Sequence, residues 1–434
     1  MRSLCLLIVV AAAVFPAVTA QICNPPWGEY GYSYMAHSQS ELDGIAERCT
    51  TVNGSVVMGF NYTGSFYLPN VRNITRLFRW AMDADLTQMP TPTSVDLPDL
   101  EYLGSSMWLN SLPTLRNVSM PRLKTAGWDV NMDYVYEADF RSLETAEYLT
   151  ITGNMSSLRL DSLREVHQRL VICNWDMCDY NISPPSSVDI SLPLLQSVGV
   201  MDLEGMISSL EVPSFTTLTG YGRTWNSLKF STIGGPAINL TFPRLSNSLG
   251  EIDLTGNIGG LAIPNLRNMS LSGLSLNSSI PLAVDLPFEE ASTIILRGNI
   301  SSVIFPNLHS LNSSFIVDSD NPSLDCDTLL DTIANATNIM IGVGGRLHCY
   351  PAADSAELSN SGLSTGVRAA IGVVIGVVGL AIILGALYFL RRTRARQRLT
   401  TESSVQLQES TPPTYEAARE DRDPLPEYAP RLSK

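Results

Sequence analysis

Pairs of acidic residues are the groups in this sequence whose type and spacing come nearest to acid–base chemistry. Glycoside hydrolysis needs two carboxylates that flank the scissile bond, and a calcium site needs a cage of carboxylates. Among the close pairs in the 434-residue chain are Asp83/Asp85, Glu289/Glu290, Asp318/Asp320 and Asp325/Asp327. We expect them to lie in loops, in a solvated turn or at a helix start, where capping explains a carboxylate. The pairs therefore do not predict a catalytic centre.

The histidines and serines also lack the arrangement of a nucleophilic or metal-dependent enzyme. The four histidines fall in different repeats or end segments: His37, His167, His309 and His348. No G-x-S-x-G sequence joins a strand pattern to a helix pattern, as a nucleophile elbow would. We therefore expect no catalytic residue, no metal and no cofactor, and keep a β-helical carbohydrate-active enzyme as the third hypothesis.

Six cysteines remain once an N-terminal leader is removed: Cys23, Cys49, Cys173, Cys178, Cys326 and Cys349. An even number of cysteines in a secreted segment predicts disulfides. Their clustering along the chain favours three local pairs, Cys23–Cys49, Cys173–Cys178 and Cys326–Cys349, as the simplest connectivity. A zinc site is the alternative, but no pair combines knuckle spacing with nearby histidines.

Twelve N-x-S/T sequons lie between residues 21 and 366, the segment that also contains the six cysteines. They begin at Asn53, Asn61, Asn73, Asn117, Asn154, Asn181, Asn239, Asn268, Asn277, Asn299, Asn312 and Asn335. A single sequon carries little weight, but twelve, with none after residue 390, predict a heavily glycosylated ectodomain. Residues 21–366 also carry 17 Lys and Arg against 35 Asp and Glu, a net charge of −18. That acidity argues against binding to nucleic acid or to an anionic membrane.

Proline–tyrosine motifs in residues 391–434 predict a binding site for another protein. The first is TPPTYE at residues 411–416, and the second is the variant DPLPEYAP at residues 423–430. Prolines pre-form an extended helix that WW domains clamp between aromatic rings, and tyrosine fills a second pocket. The contacting residues would be Pro412, Pro413, Tyr415, Leu425, Pro426 and Tyr428. Two copies of the motif would add avidity for a ligand protein that carries several WW domains. The motifs resemble those that recruit HECT-type ubiquitin ligases. The alternative is a disordered tail in which the prolines occur by chance.

Lys434 is the only lysine of this tail, so a docked ligase would find one ordinary acceptor there. Two hypotheses follow from that count. Either Lys434 is the ubiquitin acceptor, or the tail presents the ligase to neighbouring membrane proteins.

The ends of the chain carry patterns that place these residues on two sides of a membrane. Residues 1–20 have a basic start, an apolar run and a small-residue ending, which predicts a cleaved signal peptide. Residues 369–390 are 22 uncharged residues, about 33 Å as a helix, which is long enough to span a bilayer. Five arginines follow within residues 391–398, so residues 391–434 are predicted to be cytoplasmic, at the plasma membrane or an endomembrane. Gly372 and Gly376 have the spacing that permits a homodimer, although glycine is common in such helices.

A repeat of roughly 20–30 residues organises the segment between these ends. Clear copies read LTITGNMSSLRLDSLREV from Leu149, VMDLEGMISSLEVPSFTTL from Val200, EIDLTGNIGGLAIPNLRNM from Glu251 and TIILRGNISSVIFPNLHSL from Thr293. The aligned glycines are 52, 51 and 42 residues apart, with half-period copies between them: Gly153, Gly205, Gly256 and Gly298. Alternating apolar residues turn one face of a short strand inward, glycine allows a tight corner, and the recurring P-x-L places proline at another corner.

Stacked coils of this kind predict a mainly β solenoid over residues 21–350. A β-sandwich is the alternative, but its hairpin turns would recur about every 8–12 residues. Amphipathic helices that end at Cys49 and begin near Cys326 are expected to cap the two open ends, with Ser38 or Ser40 and Asp325 or Asp327 at their starts. Residues 351–368 are small and polar and are expected to form a stalk.

Five tryptophans lie in or beside the predicted coils: Trp80, Trp108, Trp128, Trp175 and Trp225. Aligned on one outer face, their rings could grip sugars, whereas rings that pack inward belong to the core. Core packing is the default expectation.

The repeats, the cysteine-bearing end helices and the dense sequons resemble the leucine-rich, receptor-L-domain-like ectodomains of fungal cell-wall organisation proteins, which include sporulation-specific wall proteins. The resemblance covers roughly residues 22–350. It implies a right-handed β-helix and a role in wall assembly, integrity or sensing. Many members end in a glycolipid-anchor signal, whereas this chain continues past its apolar run, so a retained transmembrane helix is expected here.

The leading hypothesis is therefore a non-enzymatic, single-pass surface glycoprotein with a tail that recruits a WW-domain protein. Its external partner would be a wall polysaccharide or another surface protein. The alternative is a membrane adaptor for a HECT-type ubiquitin ligase in trafficking.

Overall fold

The structure, a computed structural model, describes six stretches of the chain: residues 21–82, 89–174, 187–220, 226–232, 234–337 and 347–350. The predicted signal peptide, stalk, membrane span and tail lie outside these residues, as do Gly372, Gly376, the proline–tyrosine motifs and Lys434. Six other residues that the sequence singled out also lie outside them: Asp83, Asp85, Trp175, Cys178, Asn181 and Trp225. Within the described stretches, no helix is long and apolar enough to cross a membrane.

Two helices and 31 strands make up the described secondary structure. The helices are α1 (Gln39–Ala46) and α2 (Cys326–Thr337). The strands of the first six coils are β1 (Ile22–Cys23), β2 (Trp27–Gly28), β3 (Gly31–Ala36), β4 (Thr51–Val52), β5 (Ser55–Met58), β6 (Thr63–Tyr67), β7 (Asn73–Ile74), β8 (Phe78–Trp80), β9 (Thr91–Asp96), β10 (Tyr102–Leu103), β11 (Met107–Leu109), β12 (Asn117–Ser119), β13 (Thr125–Ala126), β14 (Asp129–Met132), β15 (Glu137–Asp139), β16 (Thr145–Thr152) and β17 (Ser157–Arg159). The strands of the later coils are β18 (Glu165–Asn174), β19 (Val188–Ser191), β20 (Ser197–Gly205), β21 (Ile207–Glu211), β22 (Thr217–Leu218), β23 (Asn226–Thr232), β24 (Ile238–Thr241), β25 (Asn247–Ser248), β26 (Glu251–Gly256), β27 (Ile258–Ala262), β28 (Asn268–Asp285), β29 (Glu290–Ile304), β30 (Ser310–Ser319) and β31 (Leu347–Tyr350).

These strands wind into a β-solenoid of about 12 turns, which confirms the mainly β solenoid predicted from the repeat. Each strand pairs in parallel with the equivalent strand one coil away. Among the described strands, β2 and β3 form the single antiparallel pair, a hairpin in the first coil. A sandwich is built from antiparallel hairpins, so that alternative is wrong.

Each full coil runs through three faces. The first face is a short ladder that passes through β1, β4, β7, β10 and β13. The second face is a longer ladder through β5, β8, β11 and β14. In β16, β18 and β20, and again from β28 onward, one strand bends from the first face into the second, whereas β22 and β25 lie on the first face and β23 and β26 on the second. The third face holds β6, β9, β12, β15 and β17, and later β19, β21, β24 and β27. We call the corner between the first and second faces the first corner, the next one the second corner, and the return to the first face the third corner.

Alternate residues of the faces point inward and fill the interior. One inward column of the second face contains five side chains that are fully buried on successive coils: Val130, Leu149, Leu170, Met201 and Leu228. Burying a side chain of this size contributes roughly 1.5–3 kcal/mol. A single coil could not bury both edges of such a layer, so the stability of the fold comes from stacking.

Proline-containing β-turns form the third corner. The backbone N–H of Leu123 donates to the carbonyl of Met120 at 3.1 Å, with Pro121 between them. The same bond joins Leu195 to Leu192 at 3.2 Å, and all four of these flanking side chains are fully buried. Proline suits the second position of such a turn because its φ is fixed and its missing N–H is not needed there. The P-x-L interpretation is confirmed.

Glycine and a small polar residue alternate along the second corner. In coil order the corner residues are Gly153, Asn174, Gly205, Thr232, Gly256, Ser278, Gly298 and Ser319. The four glycines have φ values of 152°, 112°, 125° and 79°, a region that L side chains rarely adopt. Because glycine recurs in every second coil, its spacing in the sequence is twice the length of a coil.

Three of the four polar residues of the second corner, Asn174, Ser278 and Ser319, satisfy backbone groups that the glycine corners leave buried. Asn174 is fully buried; its side chain accepts a hydrogen bond from the Met155 N–H at 2.7 Å and donates to the Met206 carbonyl at 3.0 Å. Ser319 donates to the Ile300 carbonyl at 2.8 Å. At this corner a glycine lets the backbones of neighbouring coils approach closely, and a polar side chain on the next coil hydrogen-bonds the backbone groups that become buried.

A helix covers each end of the solenoid. The helix α1 packs Leu42, Ile45 and Ala46 into the core, and α2 packs Leu329 and Ile333. Open ends of a β-solenoid expose unpaired strand edges and apolar layers, so these helices act as caps. Both predicted end helices are confirmed.

Disulfides attach both caps to the end strands. Cys23–Cys49 and Cys326–Cys349 are formed as predicted, and Cys173 is disulfide-bonded as well. Asp325 caps α2, because the Thr328 N–H donates to its carboxylate at 3.1 Å. Ser38 precedes α1 without a side-chain cap bond, and the Glu41 carboxylate instead accepts a hydrogen bond from the His37 N–H at 2.7 Å.

Gly205→Ala tests the second corner. An alanine Cβ would lie 2.1 Å from the Asn174 carbonyl oxygen, at a φ of +112°. We expect a loss of about 3 kcal/mol or more, because backbone strain of about 1–2 kcal/mol adds to displacement of the neighbouring coil. Thermal unfolding followed by circular dichroism measures the loss.

Gly64→Ala is the matched control, since its φ is +81° but no atom lies within 4 Å of the new Cβ. Only backbone strain of about 1–2 kcal/mol is expected there. Equal losses in the two variants would show that the contact between coils contributes nothing.

Candidate functional site

The sequon asparagines are spread unevenly over the faces. Of the eleven in the described residues, eight are exposed, three are half-buried and none is buried. Four sequons lie between residues 101 and 256: Asn117 and Asn239 on the third face, Asn154 at the second corner, and Asn181 outside the described residues. The first-face strands β7 and β28 carry Asn73 and Asn268, which bracket this stretch.

The first and second faces from β10 to β26 therefore contain no sequon, and we call them the bare surface. Its strands are β10, β11, β13, β14, β16, β18, β20, β22, β23, β25 and β26. An N-linked glycan is bulky and covers the surface around its asparagine. The predicted glycans would thus cover the third face and both ends of the solenoid and leave the bare surface open.

Three aromatic rings lie on successive coils of the bare surface. Trp108 is in β11, Trp128 comes immediately before β14, and Tyr148 is in β16. The Trp128 side chain is 55% exposed, and its ring centroid lies 6.1 Å from that of Tyr148. Trp80, in contrast, is 1% exposed, and its Nε1 donates to the Asn110 carbonyl at 2.9 Å. Core packing is thus confirmed for Trp80 and wrong for Trp108 and Trp128, since the pleat turns Trp108 outward and Trp128 stands at the first corner.

Arg79 stacks against the N-terminal end of this row. Its guanidinium carbon lies 4.9 Å from the Trp108 ring centroid and 5.4 Å from that of Tyr30. Tyr30 belongs to the β2–β3 hairpin, and its hydroxyl donates to the Met82 carbonyl at 3.0 Å, so the hairpin folds over the second face. Burial lowers the pKa of Arg79, but the guanidinium stays charged at neutral pH and makes cation–π contacts with both rings. We call Arg79, Trp108, Trp128 and Tyr148 the aromatic strip.

Polar groups lie between the rings of the strip. Trp108 Nε1 donates to the Asp129 carboxylate at 3.1 Å, which fixes the indole; burial raises the pKa of Asp129 and this bond opposes the rise. Asn131 and Thr150 continue the outward column that begins with Trp108. Neither side chain forms a hydrogen bond with another described residue, so their amide and hydroxyl can bind a ligand.

Ion pairs occupy the C-terminal part of the bare surface. Arg169 contacts the Asp202 carboxylate at 2.7 Å, and Lys229 pairs with Glu204. These four residues lie on the three successive strands β18, β20 and β23. Ion pairs with one half-exposed partner add little stability. Their main consequence is that Arg169 and Lys229 are each already paired with a carboxylate.

The carboxylates near these pairs are partly desolvated. Burial raises the pKa of Asp202 in spite of the Arg169 hydrogen bond, and it raises the pKa of Asp253. Burial and the neighbouring Asp253 together raise the pKa of Glu251. Low hydration disfavours further negative charge here, so an acidic ligand would be disfavoured on this surface.

The acidic pairs considered for catalysis have other contacts. Asp325 caps α2, Glu289 lies 3.6 Å from Arg267, and Glu290 accepts a hydrogen bond from Asn268 at 3.0 Å. Asp318, Asp320 and Asp327 are exposed. In the described stretches, no group of three or more His, Cys, Asp or Glu residues is placed to hold a metal ion.

Sequence reasoning missed Arg79, Asp129 and Tyr148. The signal for Tyr148 was present, because Leu149 and Ile151 alternate with it and are fully buried. Arg79 and Asp129 lie in the weaker early copies of the repeat, where the sequence alone did not fix which residues face outward.

Neither a protein-family model, nor a curated protein, nor a solved structure matches the chain. Function is therefore inferred from the surface of the solenoid itself.

Glu251→Gln tests the desolvation of the acidic part of the bare surface. Because the pKa of Glu251 is raised in the fold, stability from its bound proton is present below the ordinary pKa of 4.5 and is lost as the pH rises through the folded pKa. A neutral glutamine should therefore raise the melting temperature at pH 7, with the gain disappearing near about pH 4. Thermal unfolding at the two pH values measures this.

Glu137→Gln removes the same charge at an exposed position of the third face and serves as its control. A gain at pH 7 as large as that of Glu251→Gln would attribute the effect to net charge rather than to burial.

Proposed function

We propose that this chain is a non-enzymatic, single-pass surface glycoprotein that supports cell-wall organisation, integrity or sensing. Its ectodomain would be a right-handed β-helix of the receptor-L-domain kind, the hand that parallel crossovers favour. The observation that carries the proposal is the bare surface: the first and second faces from β10 to β26 lack sequons and expose the aromatic strip. A surface kept clear of glycans and lined with rings is typical of a binding face.

The proposed topology follows from the sequence patterns at the two ends. Residues 1–20 would direct secretion, residues 369–390 would hold the chain in the plasma membrane or an endomembrane, and residues 391–434 would be cytoplasmic. Gly372 and Gly376 would allow two copies to pack. The resemblance to fungal cell-wall organisation proteins supports the proposed setting.

A glycan placed on the bare surface tests the proposed function. Thr150→Asn creates an N-I-T sequon with Ile151 and Thr152 at the centre of the second face. In cells that lack the native chain, this variant should become glycosylated there, reach the surface and fail to restore resistance to wall stress, because the glycan covers the strip. Growth under a wall-perturbing agent is the measurement.

Asp189→Asn creates an N-I-S sequon with Ile190 and Ser191 on the third-face strand β19, away from the bare surface, and should restore resistance. Full resistance in cells that carry the glycosylated Thr150→Asn variant would contradict a role for this surface.

A membrane adaptor for a HECT-type ubiquitin ligase is the second candidate, favoured by the two proline–tyrosine motifs. If Tyr415→Ala abolishes the wall-stress phenotype, the adaptor is favoured. If the phenotype survives removal of residues 391–434, the first proposal is favoured. Comparing the ubiquitin attached to the wild type and to Lys434→Arg tests how the adaptor acts. If Lys434→Arg loses all ubiquitin from the tail, the tail is itself a substrate of the ligase, and the hypothesis that it only presents the ligase to neighbouring membrane proteins is wrong.

Glycan cleavage by the purified protein would instead support the enzyme hypothesis.

A further inference from the structure

A tyrosine stands directly beside a sequon asparagine on the first face. Tyr102 in β10 is the register partner of Asn73 in β7, and the Tyr102 backbone N–H donates to the Arg72 carbonyl at 3.1 Å. Adjacent strands of a ladder lie about 4.8 Å apart, so the Tyr102 side chain is the nearest neighbour of Asn73 on that side. A sugar attached to Asn73 would therefore begin one strand away from an aromatic ring.

The aromatic residue occurs at a single position of its column. Register pairing connects the outward residues of the first face from β1 to β25, which are Ile22, Thr51, Asn73, Tyr102, Thr125, Thr145, Glu165, Ser197, Thr217 and Asn247. Tyr102 is the one aromatic member of this column, and every member after it is polar. Asn73 is the one member that begins a sequon. The column thus places its one ring next to its one predicted glycan.

The Tyr102 side chain is available for a further contact. It is 43% exposed and forms neither a hydrogen bond nor a ring contact with another described residue. Its register partner on the next coil is Thr125, a short side chain that offers little packing. A flat apolar surface laid against such a ring is favourable.

The Asn73 side chain is held in place by the preceding coil. Its Nδ2 donates to Thr51 Oγ1 at 3.1 Å. A side-chain amide has two N–H donors, and an N-linked sugar replaces one of them. The bond to Thr51 can therefore persist in the glycosylated chain and restrict the orientation of the first sugar. A pre-oriented group loses less entropy when it packs.

The other sequon asparagines with a register partner in the described strands do not stand beside a ring. Their partners are Ser94 and Glu137 for Asn117, Gly260 for Asn239, Glu290 for Asn268, and Thr255 and Arg297 for Asn277. Asn73 is therefore the member of this group at which strand register brings a ring and a predicted glycan together.

We infer that an N-linked glycan on Asn73 packs its first sugars against the Tyr102 ring. The apolar face of N-acetylglucosamine stacks on the ring, as flat apolar faces do on aromatic side chains. Covalent attachment selects this occupant, because it keeps the sugar beside the ring at an effective concentration on the order of millimolar. The packed glycan would mark the β10 border of the bare surface. The inference rests on the glycosylated ectodomain of the proposed function.

A double-mutant cycle on the purified, glycosylated full-length protein tests the inference. Thr75→Ala destroys the N-I-T sequon of Asn73 but keeps the asparagine and its bond to Thr51, and Thr75→Ser keeps the sequon as its control. Tyr102→Ala should lower the melting temperature by roughly 2 °C more with the glycan than without it. The cycle subtracts the packing that Tyr102 loses within the protein. Thermal unfolding is the measurement, and mass spectrometry verifies the glycan on Asn73.

Tyr67→Ala is the matched control for the ring. Tyr67 is 42% exposed, and its register partner Asp96 belongs to no sequon, so its effect should be the same in both backgrounds. Equal losses for Tyr102→Ala with and without the Asn73 glycan would contradict the inference. An Asn73 that carries no glycan in the wild type would also overturn it.

Ser270→Ala is the matched control for the glycan. It removes the sequon of Asn268, the other first-face sequon of this group, whose amide donates to the Glu290 carboxylate at 3.0 Å. Tyr102→Ala should show no coupling to this loss. Coupling as large as that with Thr75→Ala would reveal a general effect of glycosylation and overturn the inference.

Hydroxyl-radical footprinting reports the contact itself. Tyr102 should be oxidised more readily in Thr75→Ala than in Thr75→Ser, because the ring loses its cover, while Tyr67 should react equally in both. The same oxidation of Tyr102 in the two variants would show that no sugar covers the ring.

Failure of the inference and failure of the proposed function give different results. If Tyr102 and the glycan are not coupled while glycosylated Thr150→Asn removes wall-stress resistance, the inference is wrong and the proposed function stands. If they are coupled while cells with glycosylated Thr150→Asn resist wall stress, the inference stands and the proposed function is wrong.

Discussion

Contact between coils at the second corner is the constraint on which the solenoid depends. A Cβ on Gly205, Gly256 or Gly298 would lie 2.1–2.2 Å from a carbonyl oxygen of the coil below, so the backbones meet there with no room for a side chain. Fully buried polar side chains such as Asn174 then bond the backbone groups that the tight turn removes from water. Alternation lets the residues next to the glycines, such as Asn174, Ser278 and Ser319, supply the hydrogen-bonding side chain that a glycine lacks.

This constraint determines what the surface can do. Tight corners keep the three faces regular, so residues at one register position form straight columns spaced by the ladder. A binding surface can then be made by substitution on successive coils rather than by loops, as Trp108, Asn131 and Thr150 illustrate. The sequon positions fit the same logic: between residues 101 and 256, the described ones lie on the third face or at the second corner.

Much of the fold was predictable from the sequence, and less of the site was. The spacing of Gly153, Gly205, Gly256 and Gly298, the P-x-L corners and the cysteine-bearing end helices all predicted features that the structure confirms, because each reports a local backbone requirement. The two-coil alternation explains why the repeat had copies at half its period. The aromatic strip was not predictable in full, since it joins residues of different coils through strand register, which the weaker early copies of the repeat do not reveal.

Oxidative footprinting of the protein on intact wall material, compared with the free protein, tests the central claim most directly. Trp128 and Tyr148 lie on the bare surface, while Tyr67, which is 42% exposed, lies on the third face of the same molecule. If the bare surface contacts wall polysaccharide, wall binding should protect Trp128 and Tyr148 from oxidation and leave Tyr67 unchanged. Equal protection of all three, or protection of Tyr67 alone, would contradict the assignment of this surface as the binding face.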